Sequence, residues 1–201
     1  MISNQRIFSL LIITRNYISF ILISAQVKLV DFGSSNFLPK TQGAGGKVYL
    51  QSRSYRAPEV ILGGSFDERI DMWSLGCITA ELYTHSLLFN NSSVGALLTS
   101  ASALLGPIPE YLLKLSGITP YQHNGRIFVN LKNEDVWELD PPYRLLEEEL
   151  NVDDPEFVDF IRKLLQWDPM QRMTASQALE HPFITRKEGC ELYTGDLSVI
   201  E

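Results

Sequence analysis

Cysteine is nearly absent. Cys77 and Cys190 stand far apart in a chain of 201 residues, which excludes a disulfide framework and any closely spaced thiolate metal site. Histidine is as scarce: His85, His123 and His181 are too scattered to form a metal or triad set. Basic charge is also short, with 17 Lys and Arg against 24 Asp and Glu, for a net charge of −7. A nucleic-acid partner, which needs clustered cations opposite phosphates, is therefore not expected. Long apolar runs are missing too. The stretch from Ile7 to Ile23 is broken by Arg15 and Asn16, with no small-residue cleavage site after it, so neither a membrane span nor a signal peptide is expected. With reduced, unpaired thiols, the expected compartment is the cytoplasm or nucleus.

Two apparent motifs also fail. Gly43-Ala44-Gly45-Gly46-Lys47 looks like a phosphate-binding loop, but Thr41 stands where an earlier glycine is required, and Val48 follows the lysine. Asn90-Asn91-Ser92 spells a glycosylation site, which has meaning only in a secreted chain.

What is present is a core. A hydrophobic fraction of 45% with three Trp suffices for one packed domain rather than a disordered chain. Val27 to Val30 reads as a strand ending at Asp31-Phe32-Gly33, and Ser34 to Tyr49 as a long loop. Ile70 to Thr84 is apolar on nearly every face, the pattern of a buried central helix. Val94 to Leu105 is a second helix, stopped by Gly106-Pro107. Asp154 before Pro155 starts a third, with Phe157, Phe160, Ile161, Leu164 and Leu165 on one face. Thr174-Ala175-Ser176-Gln177 has the spacing of a capping box and opens a fourth, ending before Pro182. The acidic stretch between Glu134 and Asp159 reads as loops and a solvated face. The expected fold class is mainly α.

The order of motifs carries more. Asp31-Phe32-Gly33 is followed, across the loop, by Ala57-Pro58-Glu59. Then come Asp71-Met72-Trp73-Ser74-Leu75-Gly76-Cys77, Asp168-Pro169-Met170-Gln171-Arg172 and Ala178-Leu179-Glu180-His181-Pro182-Phe183. In this order the constellation resembles eukaryotic protein kinases. The runs Val27 to Ser35 and Tyr49 to Glu59 are similar to the activation segment of the dual-specificity tyrosine-regulated (DYRK) branch of the CMGC group. Ser54 departs from the aromatic residue usual there, and the stretch from Leu88 to Asp154 is similar in placement to the CMGC insert.

The resemblance implies the C-terminal lobe of an α+β kinase fold with the N-terminal lobe absent. It also implies transfer of the γ-phosphate of ATP, with Mg²⁺, to Ser, Thr or Tyr hydroxyls of protein substrates. Asp31 would ligate the metal, Gly33 permitting the turn that aims it. Tyr49 would be phosphorylated, and Arg53 and Arg56 would hold its phosphate or shape the substrate pocket. Glu59 and Arg172 would form a buried ion pair. Asp71 would support the catalytic loop, while also being a competent helix cap by itself.

The remaining machinery is not found. A Gly-rich loop, a strand lysine and its helix glutamate normally lie far upstream of the metal motif, and only 30 residues precede Asp31. Ile21-Leu22-Ile23-Ser24 matches the family's strand after the catalytic loop, which places the metal-binding Asn slot at Phe20 and the base slot at Arg15. An aromatic ring binds no Mg²⁺, and a permanently charged guanidinium accepts no proton. Residues 1–20 are therefore expected to be unrelated or artefactual, residues 21–185 a partial kinase domain, and residues 186–201 a tail. The chain alone is expected to be inactive. The alternative is a non-catalytic, pseudokinase-like module that binds kinase partners or substrates. With upstream helices missing, the apolar faces around Trp73, Leu75 and Ile78 are expected to lack cover.

Overall fold

The computed structural model describes residues 50–90, 92–131 and 135–186, together with Ser35. Among these residues there are eight helical segments and one three-stranded antiparallel sheet, with a 3-10 turn at Arg53–Tyr55. The helices are α1 (Pro58–Ile61), α2 (Arg69–Thr84), α3 (Val94–Leu105), α4 (Glu110–Leu115), α5 (Leu146–Leu150), α6 (Pro155–Leu164), α7 (Ala175–Leu179) and α8 (Pro182–Thr185). None is long and apolar enough to cross a membrane.

The central element is α2. Met72, Trp73, Ser74, Gly76, Cys77, Ile78 and Ala80 are all buried, so the helix is enclosed around most of its circumference. It packs against α6 at Gly76, where a Cβ would lie 3.0 Å from Leu164 Cβ and 2.9 Å from Leu165 Cδ2. Burial also pushes the Cys77 thiol well above its ordinary pKa, so it is an inert core group. The helix ends at His85, whose left-handed backbone (φ 57°) lets its N–H reach the carbonyl of Glu81.

The expected lack of cover is corrected for Trp73 and Ile78, which are 1% and 8% exposed, while Leu75 is only partly buried. Aromatic residues from distant segments close over Trp73. Phe89 stacks on Trp73 with centroids 5.9 Å apart, Trp167 lies 6.2 Å away, and Trp137 continues the series 5.8 Å beyond Trp167. The indoles of Trp167 and Trp137 donate to the Gly106 carbonyl and the Ser102 hydroxyl, so their polar edges do not offset the burial. The α2 side chains left open are Leu82 and Tyr83, at its C-terminal end.

The acidic stretch expected to be loops and a solvated face holds a strand, Val136–Glu138, and helix α5. Strands β1 (Tyr121–His123), β2 (Arg126–Asn130) and β3 (Val136–Glu138) pair in sequence order. The β1–β2 turn is Asn124-Gly125, both at positive φ, as the tight two-residue hairpin turn requires. On β3, Trp137 is fully buried against α3. The carboxylate of Asp135 accepts the Val94 N–H at the start of α3, and Thr99 Oγ1 accepts the Glu138 N–H. Gly95 permits this contact, since a Cβ there would run into the Val136 carbonyl.

The later helices begin as their caps dictate. Asp154 accepts the N–H groups of Glu156 and Phe157 ahead of Pro155, and Thr174 and Gln177 form a reciprocal capping box. Asp71 behaves otherwise. It lies inside the first turn of α2, whose N-cap is Glu68, and the carboxylate of Asp67 takes the Arg69 N–H.

Gly95→Ala should destabilise the protein by about 1–3 kcal/mol through overpacking, although alanine is the better helix former by about 1 kcal/mol; urea unfolding measures the difference. The Asp154 carboxyl is held below its ordinary value of 3.8. Burial alone would raise it, but the Phe157 N–H and the Arg186 guanidinium outweigh burial. A depressed carboxyl contributes stability above its unfolded pKa and loses it as pH falls through the lower folded value. As pH falls below about 4, the wild type should therefore lose stability more steeply than Asp154→Asn, which keeps the cap without the charge.

Candidate functional site

The site is the junction at which the segment from Leu50 to Glu59 is fastened to the helical body. Its centre is a buried ion pair. Arg172 Nη1 donates to Glu59 Oε1 at 2.7 Å and Nη2 to Oε2 at 3.0 Å, the parallel two-bond geometry of guanidinium with carboxylate. The remaining donors are also used: Nε and Nη2 bond the Gln166 carbonyl at 3.2 and 2.9 Å, and Nη1 bonds the Arg69 carbonyl at 2.8 Å. The guanidinium carbon lies 5.4 Å from the centroid of the Trp73 ring. A side chain with 0% exposure is thus provided with a counter-charge, two carbonyls and an aromatic face.

Local sequence places both partners. Pro58 begins α1 and sets its φ, which puts Glu59 one residue into that short helix and pointing into the core. Asp168 accepts the N–H groups of Met170, Gln171 and Arg172 through its side chain and carbonyl, and this turn carries Arg172 back under α2.

Ahead of α1, the chain is tied down by groups that sequence reasoning missed. Gln51 has left-handed backbone (φ 62°) and is 9% exposed. Its side-chain amide donates to the Ile70 carbonyl at 2.9 Å and to Ser74 Oγ at 2.7 Å, while its amide oxygen accepts the Ala57 N–H at 3.0 Å. The Ser74 hydroxyl donates to the Tyr55 carbonyl at 2.7 Å. The Tyr55 hydroxyl donates to Glu81 Oε2 at 2.6 Å. Burial, then the Glu81 carboxylate, pushes the Tyr55 phenol far above its ordinary pKa. Tyr55 is therefore a fixed, protonated donor. The bonds of Gln51 to Ile70 and Ser74, of Ser74 to Tyr55 and of Tyr55 to Glu81 span 19 to 26 residues, and no local spacing pairs them.

The other expected site residues fall as follows. Arg56 donates through Nε and Nη2 to the Gln51 carbonyl at 3.3 and 2.9 Å, and through Nε to the Leu50 carbonyl at 3.0 Å. Its guanidinium therefore shapes the backbone of its own segment. Arg53 is exposed and donates to the Ser92 carbonyl at 2.6 Å, which links the 3-10 turn to the approach of α3. Asp71 is half-buried in the first turn of α2. Arg15, Phe20, Asp31 and Tyr49 lie outside the described residues. Among the described residues no group of three or more His, Cys, Asp or Glu side chains could hold a metal ion, so Mg²⁺ and ATP are attached here only to Asp31, through the resemblance. No chemical step is derived through them.

Chemically, the described arrangement is a scaffold. It positions a segment with bidentate charge, backbone clamps and a satisfied amide network.

The sequence matches the protein kinase domain family over residues 18–184. It is similar to the serine/threonine-protein kinase ppk5 of Schizosaccharomyces pombe, with 38% identity over 167 residues that cover 82% of this chain and 19% of the relative. It is also similar to the dual specificity tyrosine-phosphorylation-regulated kinase 4 of Homo sapiens, with 40% identity over 161 residues, 80% of this chain and 30% of the relative. For kinase 2 of that name from Drosophila melanogaster the figures are 34% over 187 residues, 87% and 24%. The chain thus spans under a third of the length of each of these relatives.

Glu59→Ala or Arg172→Ala should each cost about 3–5 kcal/mol, because each strands a buried charge. The double variant should cost less than the sum of the two, since no charge is then left unpaired. Chemical denaturation of the three variants checks both statements.

Proposed function

Because the chain belongs to the protein kinase family, we propose that it is the activation segment and helical C-terminal lobe of a Ser/Thr, dual-specificity kinase domain. In a longer catalytic unit, this lobe serves transfer of the ATP γ-phosphate to hydroxyls of protein substrates. The carrying observation is the Glu59–Arg172 pair, with all five guanidinium N–H donors engaged. It anchors the C-terminal end of the activation segment to the helical body, so that substrate is presented to a segment of defined shape. Arg56, clamping the Leu50 and Gln51 carbonyls, and Gln51, bonded to Ser74, support the same reading. Placement of this kind is the protein's main contribution to phosphoryl transfer, together with electrostatics.

By motif position, Asp31 is the proposed Mg²⁺ ligand and Tyr49 the proposed phosphorylated residue, with Arg53 at the surface near it in sequence. Asp71 is assigned to catalytic-loop support. The 201-residue polypeptide by itself does not transfer phosphate, because the slots for the base and the second metal ligand hold Arg15 and Phe20. Neither side chain can take over those roles. Removing such elements lowers rates by orders of magnitude.

Incubation of the purified chain with Mg²⁺ and labelled ATP should give no label on Tyr49 or on a basic peptide, and its melting temperature should not rise with Mg-ATP. Label incorporation would overturn the proposed inactivity. A chain extended upstream with a catalytic loop, strand lysine and Gly-rich loop should phosphorylate both Tyr49 and the peptide, as followed by mass spectrometry. A folded extended chain that stays silent would leave a non-catalytic interaction module as the better description.

A further inference from the structure

Beside the buried clamp lies a surface group that the proposed function does not use. Met170 is 69% exposed, whereas the other described methionines, Met72 and Met173, are 7% and 6% exposed. Its sulfur accepts a hydrogen bond from Arg69 Nη1 at 2.8 Å, and the same Nη1 bonds Asp67 Oδ2 at 3.1 Å. The Met170 backbone is set by its turn, where its N–H donates to Asp168 Oδ1 at 2.8 Å.

Arg69 is gripped at both ends by this one turn. Its carbonyl accepts from Arg172 Nη1, the nitrogen that also bonds Glu59, and its guanidinium reaches Met170. Arg69 thus touches Met170 through its guanidinium and the Glu59–Arg172 clamp through its carbonyl.

A thioether is a weak acceptor. A sulfoxide oxygen is a strong one, and oxidation turns an apolar methionine into a polar group. We propose that Met170 is a selective oxidation site whose sulfoxide is bound by Arg69, tightening the clamp beside it. The oxidant is of the peroxide class. A sulfur lone pair attacks one peroxide oxygen, the O–O bond breaks, and the departing hydroxide takes the proton to leave as water. Sulfur loses two electrons and the peroxide gains them, so thioether and hydrogen peroxide give sulfoxide and water. Methionine sulfoxide reductase reverses the change. In this geometry oxidation is a stabilising modification. At a buried methionine it would disrupt packing instead.

The test treats the whole chain with dilute hydrogen peroxide and follows each methionine by peptide mass mapping and the chain by thermal unfolding. Met170 should oxidise at least about tenfold faster than Met72 or Met173. The melting temperature should rise by about 2–4 °C and return after reductase treatment. Arg69→Leu should still be oxidised at Met170 but show no rise, and Met170→Leu should show neither effect. Met170→Gln, which carries an amide oxygen where the sulfoxide oxygen would be, should show the rise without peroxide, and it keeps the test decisive if Arg69→Leu fails to fold. Similar oxidation rates at the three methionines would overturn the proposal. So would a melting temperature that stays level or falls on oxidation, or a rise that survives in Arg69→Leu. The readout is independent of phosphoryl transfer, so its failure would leave the functional proposal standing.

Discussion

A guanidinium buried to 0% exposure is the constraint around which the rest of the described structure is arranged. An unpaired charge in that position would cost several kcal/mol. Arg172 therefore requires a carboxylate and further acceptors at defined positions, and three separate stretches of chain meet to supply them: Glu59 from α1, the Arg69 carbonyl at the start of α2, and the Gln166 carbonyl after α6. The net stabilisation from such a pair is small, because desolvation offsets the attraction. Its value is geometric. A planar fork with five directed donors accepts few arrangements, so the segment from Leu50 to Glu59 is held in register with the helical body.

The aromatic packing serves the same junction. Trp73 presents its ring to Arg172 and is itself covered by Phe89 and Trp167, while Trp137 carries the layer across to α3 and the small sheet. One continuous apolar layer thus joins the clamp to the segment between α3 and α6. Gly76 and Gly95 set the spacing on its two sides, where α2 meets the end of α6 and α3 meets β3.

Much of this was legible in the sequence where the signal is local. The bounds of α3, the Asp154 and Thr174 caps and the buried character of α2 follow from side-chain periodicity and capping chemistry. The hairpin was missed although Asn124-Gly125 is a direct turn signal, because its strands are only three and five residues long with exposed polar positions. Leucine at Leu146 and Leu150, a turn apart in an acidic run, likewise marks a helix with two buried side chains that net charge concealed. Cover for Trp73 could not be foreseen, since Phe89 and Trp167 lie at sequence distances that no pattern connects to it.

The division at the site follows the same physics. Motif order alone identified the family and singled out Glu59 and Arg172, because backbone turns and charge types at characteristic positions are written in the chain itself. Only the tertiary structure decided that Arg56 donates to the carbonyls of Leu50 and Gln51, and that Gln51, Ser74, Tyr55 and Glu81 form the polar tether. It also decided that Asp71 lies within a helical turn instead of capping it. Hydrogen-bond partners are chosen by proximity in space after the helices have packed, and residues as far apart as Glu59 and Arg172 become neighbours only then.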